Sequence, residues 1–206
     1  MKIQIERRGD IRHVIVANHA KLNTLGSPLL EELARAFEVE EDIRAVVLTG
    51  EGERAFIGGA DIKEMGAVTT PAGGEAFIRR VHGACAAIRA CRVPVIARIQ
   101  GWCLGAGLEI AAACDLRIAA TAAKFGMPEV RVGIPSVVEA ALLPGLIGWA
   151  GRGACSCWRR RSTRMRRNAG ASWSASCRWR NWTRPWRNGS TCSARRGPSP
   201  SRTRRR

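Results

Sequence analysis

Two hydrophobic periods alternate along the first 150 residues. "KIQIERRGDIRHVIVA" carries apolar side chains at every second position on both sides of Gly9-Asp10, which predicts two strands joined by a tight turn. Ser27-Pro28 then opens "LLEELARAFEVEED", where apolar residues recur at helical spacing. Ser27 reads as the N-cap and Pro28 as the first helical residue. "IRAVVLTG" and "VPVIARIQG" are short apolar runs of the kind that form buried strands, and "LRIAA" is a third. Between the first two lies "GEAFIRRVHGACAAIRAC", an amphipathic helix. "AKFGMPEVRVG" reads as extended or looped chain, and "VVEAALLPGLIGWA" starts a further helix. Strands alternating with helices at this pace predict an α/β fold of repeated β-β-α units.

Two glycine-bearing stretches interrupt the pattern in the same way. Gly58-Gly59-Ala60-Asp61 is expected to follow the strand ending at Gly50, and Gly101 through Gly107 the strand ending near Gln100. Each leads into a helix. The first amides of a helix have no partner within it and carry the positive end of its dipole. Two such amides facing one another would bind a developing oxyanion. Neither stretch matches Gly-x-x-x-x-Gly-Lys-Ser/Thr, so a nucleotide-binding P-loop is not expected.

Acidic residues change the picture next. Glu109 stands alone among leucine, isoleucine and alanines in "GWCLGAGLEIAAACD", where a carboxylate is costly unless something uses it. It lies three residues after Ala106, about one helical turn on, so its side chain falls near the mouth of the same glycine loop. The bland alternative is a helix residue paired with Arg117 or Lys124. Glu129 follows Pro128 in a loop, as a solvated residue or as a functional carboxylate on a rigid scaffold. Glu139 reads as an exposed helix-face residue or as one further acid reaching the pocket.

Composition divides the chain. Its net charge is +17, yet all 17 acidic residues precede Gly151. Of the 34 basic residues, 17 lie beyond it, every one an arginine. The first 150 residues are therefore balanced, and the excess belongs to 152–206. That tail has no Ile, Leu, Val, Phe, Asp, Glu, Lys, Gln or His, but holds five of the seven Trp. It is either a basic, tryptophan-bearing arm suited to nucleic acid or a GC-rich gene read out of frame, which yields mainly Arg, Ala, Gly, Ser, Pro, Trp, Cys and Thr. Lacking apolar periodicity, it is expected to be disordered. The domains are thus 1–151, a folded core, and 152–206, an Arg/Trp/Ser-rich tail.

Other classes recede. The first residues lack a signal peptide's apolar run, and no stretch of about 18 apolar residues predicts a transmembrane helix. Cys85, Cys91, Cys103 and Cys114 are scattered singly, which fits a reduced, cytoplasmic setting. His13, His19 and His82 have no metal-ligand spacing, so no metal is expected.

Three stretches together carry a resemblance. "AFIGGADIKEM", "IQGWCLGAGLEIAAACDLRIA" and "KFGMPEVRVGIPS" resemble the signature stretches of the enoyl-CoA hydratase/isomerase (crotonase) family, and the match runs from about Ile3 to Gly151. The resemblance implies a crotonase-like spiral of β-β-α units and a coenzyme A thioester as substrate, with no separate cofactor. It puts Ala60 and Ala106 where the family supplies its two oxyanion-hole amides. Ala60, Asp61, Ile62 and Lys63 would line the thioester and adenine side, with Lys21 beside the coenzyme. Glu109 and Glu129 match the two catalytic glutamates of the hydratases. Members that only shift a double bond usually lack the one matching Glu109, so enoyl-CoA hydratase is favoured over isomerase. A non-catalytic nucleic-acid binder acting through the tail is the alternative from another class. Family members continue past this point with a helical region that covers the pocket and helps build homotrimers or hexamers. Here "ACSCWRRRSTRMRRNAG" stands in its place, so impaired activity and a failure to form the trimer are expected.

Overall fold

The computed structural model describes residues 1–129 and 138–148. The expectations for 152–206 lie outside the described residues. β1 (Lys2–Arg8) and β2 (Ile11–Ala17) form the expected hairpin, paired antiparallel from Lys2↔Ala17 to Arg8↔Ile11. α1 runs over Ser27–Arg35 and begins one residue earlier than expected, with Gly26 as its N-cap. Ser27 is the first helical residue, because the Glu64 carboxylate takes over the capping role. It accepts from the Ser27 N–H at 2.9 Å and from the Ser27 hydroxyl.

Three β-β-α repeats follow. β3 (Ala45–Gly50) and β4 (Ala55–Ile57) lead into α2 (Ile62–Gly66) and α3 (Pro71–Ala90). β5 (Val95–Ile99) and β6 (Trp102–Leu104) lead into α4 (Ala106–Ala113). β7 (Leu116–Ala119) and β8 (Lys124–Gly126) open the third repeat. A 3-10 turn at Ala140–Leu142 continues into helical residues 143–148. The first strand of each repeat joins one sheet, in the order β1-β2-β3-β5-β7, and the second strands form a smaller sheet, β4-β6-β8. Apart from the hairpin, all pairings are parallel.

One expectation is thereby corrected. The glycine stretch 58–61 does not follow β3 directly, because β4 intervenes; the stretch 101–107 follows β5 as expected but holds β6 within it. Both are three residues long, too short to establish a period, and Ala55, Phe56 and Ile57 are all buried.

The core fills the space between the five-stranded sheet and α1 and α3. Leu29, Leu30 and Leu33 of α1 face Phe77, Val81, Ala84, Cys85 and Ile88 of α3 across it. Every residue of α4 is buried, as a helix apolar all round should be. Arg117 closes its C-terminal end, donating to the carbonyls of Ala112, Cys114 and Asp115 that the helix leaves unsatisfied.

Candidate active site

The two glycine loops leave the small sheet side by side. Gly105, with φ +51°, is the N-cap of α4, a backbone conformation that glycine adopts without strain. Its N–H donates to Gly126 O at 2.9 Å, and its carbonyl accepts from Leu108 at 2.8 Å. Ala106 is the first residue of α4, so its N–H has no carbonyl one turn back within the helix. Gly107 sets the depth of the helix: a Cβ there would lie 2.3 Å from Ile57 O at the end of β4.

The other loop is fixed by Leu25. The Leu25 N–H donates to Gly59 O at 2.9 Å, and Leu25 O accepts from Asp61 N–H at 2.8 Å. In such a parallel bridge the residue between the two bonded neighbours turns its own N–H to the opposite side. The Ala60 N–H therefore faces away from Leu25, toward the side of β4 on which β6 and α4 lie. There the loops meet, since a Cβ built on Gly105 would be 4.0 Å from Gly59 Cα. Ala60 and Ala106 are each the residue after one of these touching glycines.

Beyond Ala60, Asp61 caps α2, its carboxylate accepting from the N–H of Lys63 at 2.9 Å and of Glu64 at 3.5 Å. Lys21 reaches the same carboxylate, with Nζ 3.7 Å from Oδ2. Ile62 and Lys63 are exposed. Lys21, Asp61, Ile62 and Lys63 thus form one surface beside Ala60.

Glu109 rises from the first turn of α4 and is 4 % exposed. Burial pushes its carboxyl up to about 7, the negative charge of Glu129 adds to the rise, and the backbone N–H groups of Glu139 and Ala140 oppose it. The Glu139 N–H donates to Glu109 Oε1 at 3.1 Å. Glu129, half-buried just after β8, lies against Gly105, its Oε2 3.3 Å from where a Cβ would stand. Both carboxyls are therefore at the loop that starts α4. The pairing of Glu109 with Arg117 or Lys124 is not what forms. Arg117 caps α4, and the Lys124 amine sits 4.6 Å from the centre of the Trp102 ring.

Glu139 is the residue that sequence reasoning undervalued. It is 8 % exposed rather than on an open helix face, and its Oε1 is 2.5 Å from His82 Nδ1 of α3. The signal was the one Glu109 gave, an acid inside an apolar run, "SVVEAALLP". The Cys85 thiol is pushed strongly upward by burial and by the charges of Glu109 and Glu139, which leaves it a poor nucleophile. Cys85, Cys91, Cys103 and Cys114 are free thiols. Among the described residues no cluster of three His, Cys, Asp or Glu side chains could hold a metal ion, and no helix is long and apolar enough to cross a membrane.

The family model for "Enoyl-CoA hydratase/isomerase" matches residues 6–151, ending where the composition changes. The short-chain-enoyl-CoA hydratase of Clostridium acetobutylicum is 40% identical over 139 residues, which is 63% of this chain and 51% of that protein. The crystal structure of an enoyl-CoA hydratase/carnithine racemase from Magnetospirillum magneticum superposes with a TM-score of 0.74 at 34% identity, covering 78% of this chain and 62% of that one. For an enoyl-CoA hydratase from Thermoplasma volcanium the TM-score is 0.72 at 33% identity, covering 78% and 65%. The chain spans about half the length of the curated relatives it matches.

Proposed function

The chain belongs to the enoyl-CoA hydratase/isomerase family, and we propose that its reaction is the reversible addition of water to a 2-enoyl-CoA thioester. The observation that carries this reading is the convergence of two carboxyls, Glu109 and Glu129, on the loop whose next residue is Ala106. Water adds its hydroxyl to the β-carbon and a proton goes to the α-carbon. One carboxylate takes a proton from the water and one carboxylic acid gives a proton to carbon, a division of labour that two neighbouring glutamates supply. Burial, with the charge of Glu129 adding to it, raises the Glu109 carboxyl to about 7, so Glu109 is partly protonated near neutral pH.

As water attacks, negative charge develops on the thioester oxygen. The N–H groups of Ala60 and Ala106 receive it, and one such donor is worth about 3 to 4 kcal/mol in the barrier. Lys21, Asp61, Ile62 and Lys63 flank the path of the coenzyme, which enters as part of the substrate and not as a separate cofactor. A glutamate at both positions favours hydration over a double-bond shift. Among the described residues the four cysteines are free thiols, in keeping with a cytoplasmic setting. Turnover of crotonyl-CoA by the full chain, followed by loss of the enoyl absorbance, tests the proposal. The altered C-terminal region lowers the rate expected, but no detectable hydration by the wild-type chain at substrate saturation would contradict the proposal.

A further inference from the structure

The carboxyl of Glu109 is oriented by a group that does not belong to its own helix. Its Oε1 is gripped at 3.1 Å by the N–H of Glu139, which comes from the turn ahead of Ala140–Leu142. That turn is tied in its own right to α3, where His82 Nδ1 lies 2.5 Å from Glu139 Oε1. His82 and Cys85 stand three residues apart on α3, one turn of the same face, and α3 packs on α4. A chain of contacts therefore runs from an exposed imidazole, through a buried acid, to the buried carboxyl of Glu109.

We propose that Glu139, anchored by His82, is the positioning residue that holds Glu109 in its working orientation; this rests on the reading of Glu109 as one of the two reacting carboxyls. The His82–Glu139 contact acts twice. It fixes the turn whose N–H grips Glu109, and it compensates a third carboxylate placed beside two others. Within the described residues the titratable groups around Glu109 are Glu129 from the turn after β8, the Cys85 thiol from α3 and Glu139 itself. A buried carboxylate left without its hydrogen-bond partner would oppose ionisation of Glu109 more strongly. A loosened turn would also withdraw the N–H that favours the ionised form. Both effects of losing His82 act in the same direction on Glu109.

The test is a titration of the Glu109 carboxyl by NMR in the full 206-residue chain labelled with carbon-13 at glutamate, the signal assigned with Glu109→Gln. His82 is 63% exposed at its side chain, so His82→Ala leaves the core intact. The expected result is an upward shift of the Glu109 midpoint by about half a pH unit or more in His82→Ala, and its return in His82→Lys, which again offers Glu139 a hydrogen-bond donor. In parallel, kcat for crotonyl-CoA should fall roughly 10-fold with KM nearly unchanged, since misplacing a reacting group costs rate more than binding. Equal midpoints in wild type and His82→Ala would overturn the positioning role whatever the activity. A midpoint that follows residue 82 in a chain with no hydratase activity would support the positioning of Glu109 and refute the hydration reading instead.

Discussion

The carboxyl of Glu129 rests on Gly105, so close that a single added methyl group there would stand 3.3 Å from Oε2. The residue that turns the chain into α4 is thus also the floor beneath one of the two candidate acids. Gly105→Ala should lower stability by about 1 to 3 kcal/mol, because φ +51° strains an L residue. It should also displace Glu129 and cut crotonyl-CoA hydration roughly 10-fold or more. Gly83→Ala is the control: it sits inside α3, its Cβ would meet nothing within 4 Å, and alanine there should be neutral or stabilising. Thermal unfolding and steady-state rates of the two variants, measured side by side, decide the point.

The seating of α4 on β4 gives a second expectation. At Gly107 a Cβ would meet Ile57 O at 2.3 Å and Ile57 Cβ at 2.8 Å, contacts that only a shift of the helix can relieve. Gly107→Ala should therefore destabilise the chain by about 3 kcal/mol or more, the scale of a severe overpacking change. Denaturant unfolding that matched wild type would mean that α4 does not lie against β4 as described.

Burial of Glu109 has a signature in pH. Its carboxyl is raised from an ordinary value of 4.5 to about 7, so the folded chain binds a proton that the unfolded chain releases between those values. Its contribution to stability is fully present below about 4.5 and is lost as pH rises through about 7. Glu109→Gln removes the titration. Relative to wild type, that variant should gain stability on going from pH 5 to pH 8, by on the order of 2 kcal/mol. Urea unfolding of both proteins at the two pH values measures this, and parallel pH profiles would contradict it.

Much of this was legible in the sequence, for identifiable reasons. The hairpin around Gly9-Asp10 and α3 declare themselves through sustained periods, and β3, β5 and β7 through short apolar runs, that the fold preserves. Glu109 stood out because burying a charge in an alanine-rich helix is expensive, and the structure does bury it. β4 and β6 were not legible, since three residues running straight into a glycine carry no period and their pairing with each other is long-range. The start of α1 was misplaced by one residue because its cap is a carboxylate 37 positions away in sequence, Glu64. Glu139 read as an exposed residue or as one further acid at the pocket, because only tertiary packing reveals that its turn folds back onto Glu109 and His82.

The measurement that bears most directly on the account is the rate of crotonyl-CoA hydration by the wild-type chain, Glu109→Gln and Glu129→Gln, with thioester binding measured on the same samples. Each single variant should lose at least about 100-fold in turnover, the contribution of one acid/base group, while still binding the thioester. The double variant should be little worse than the poorer single one, because two carboxyls sharing one water act as a unit. Near-normal turnover in either single variant would contradict the central claim that Glu109 and Glu129 carry the chemistry together.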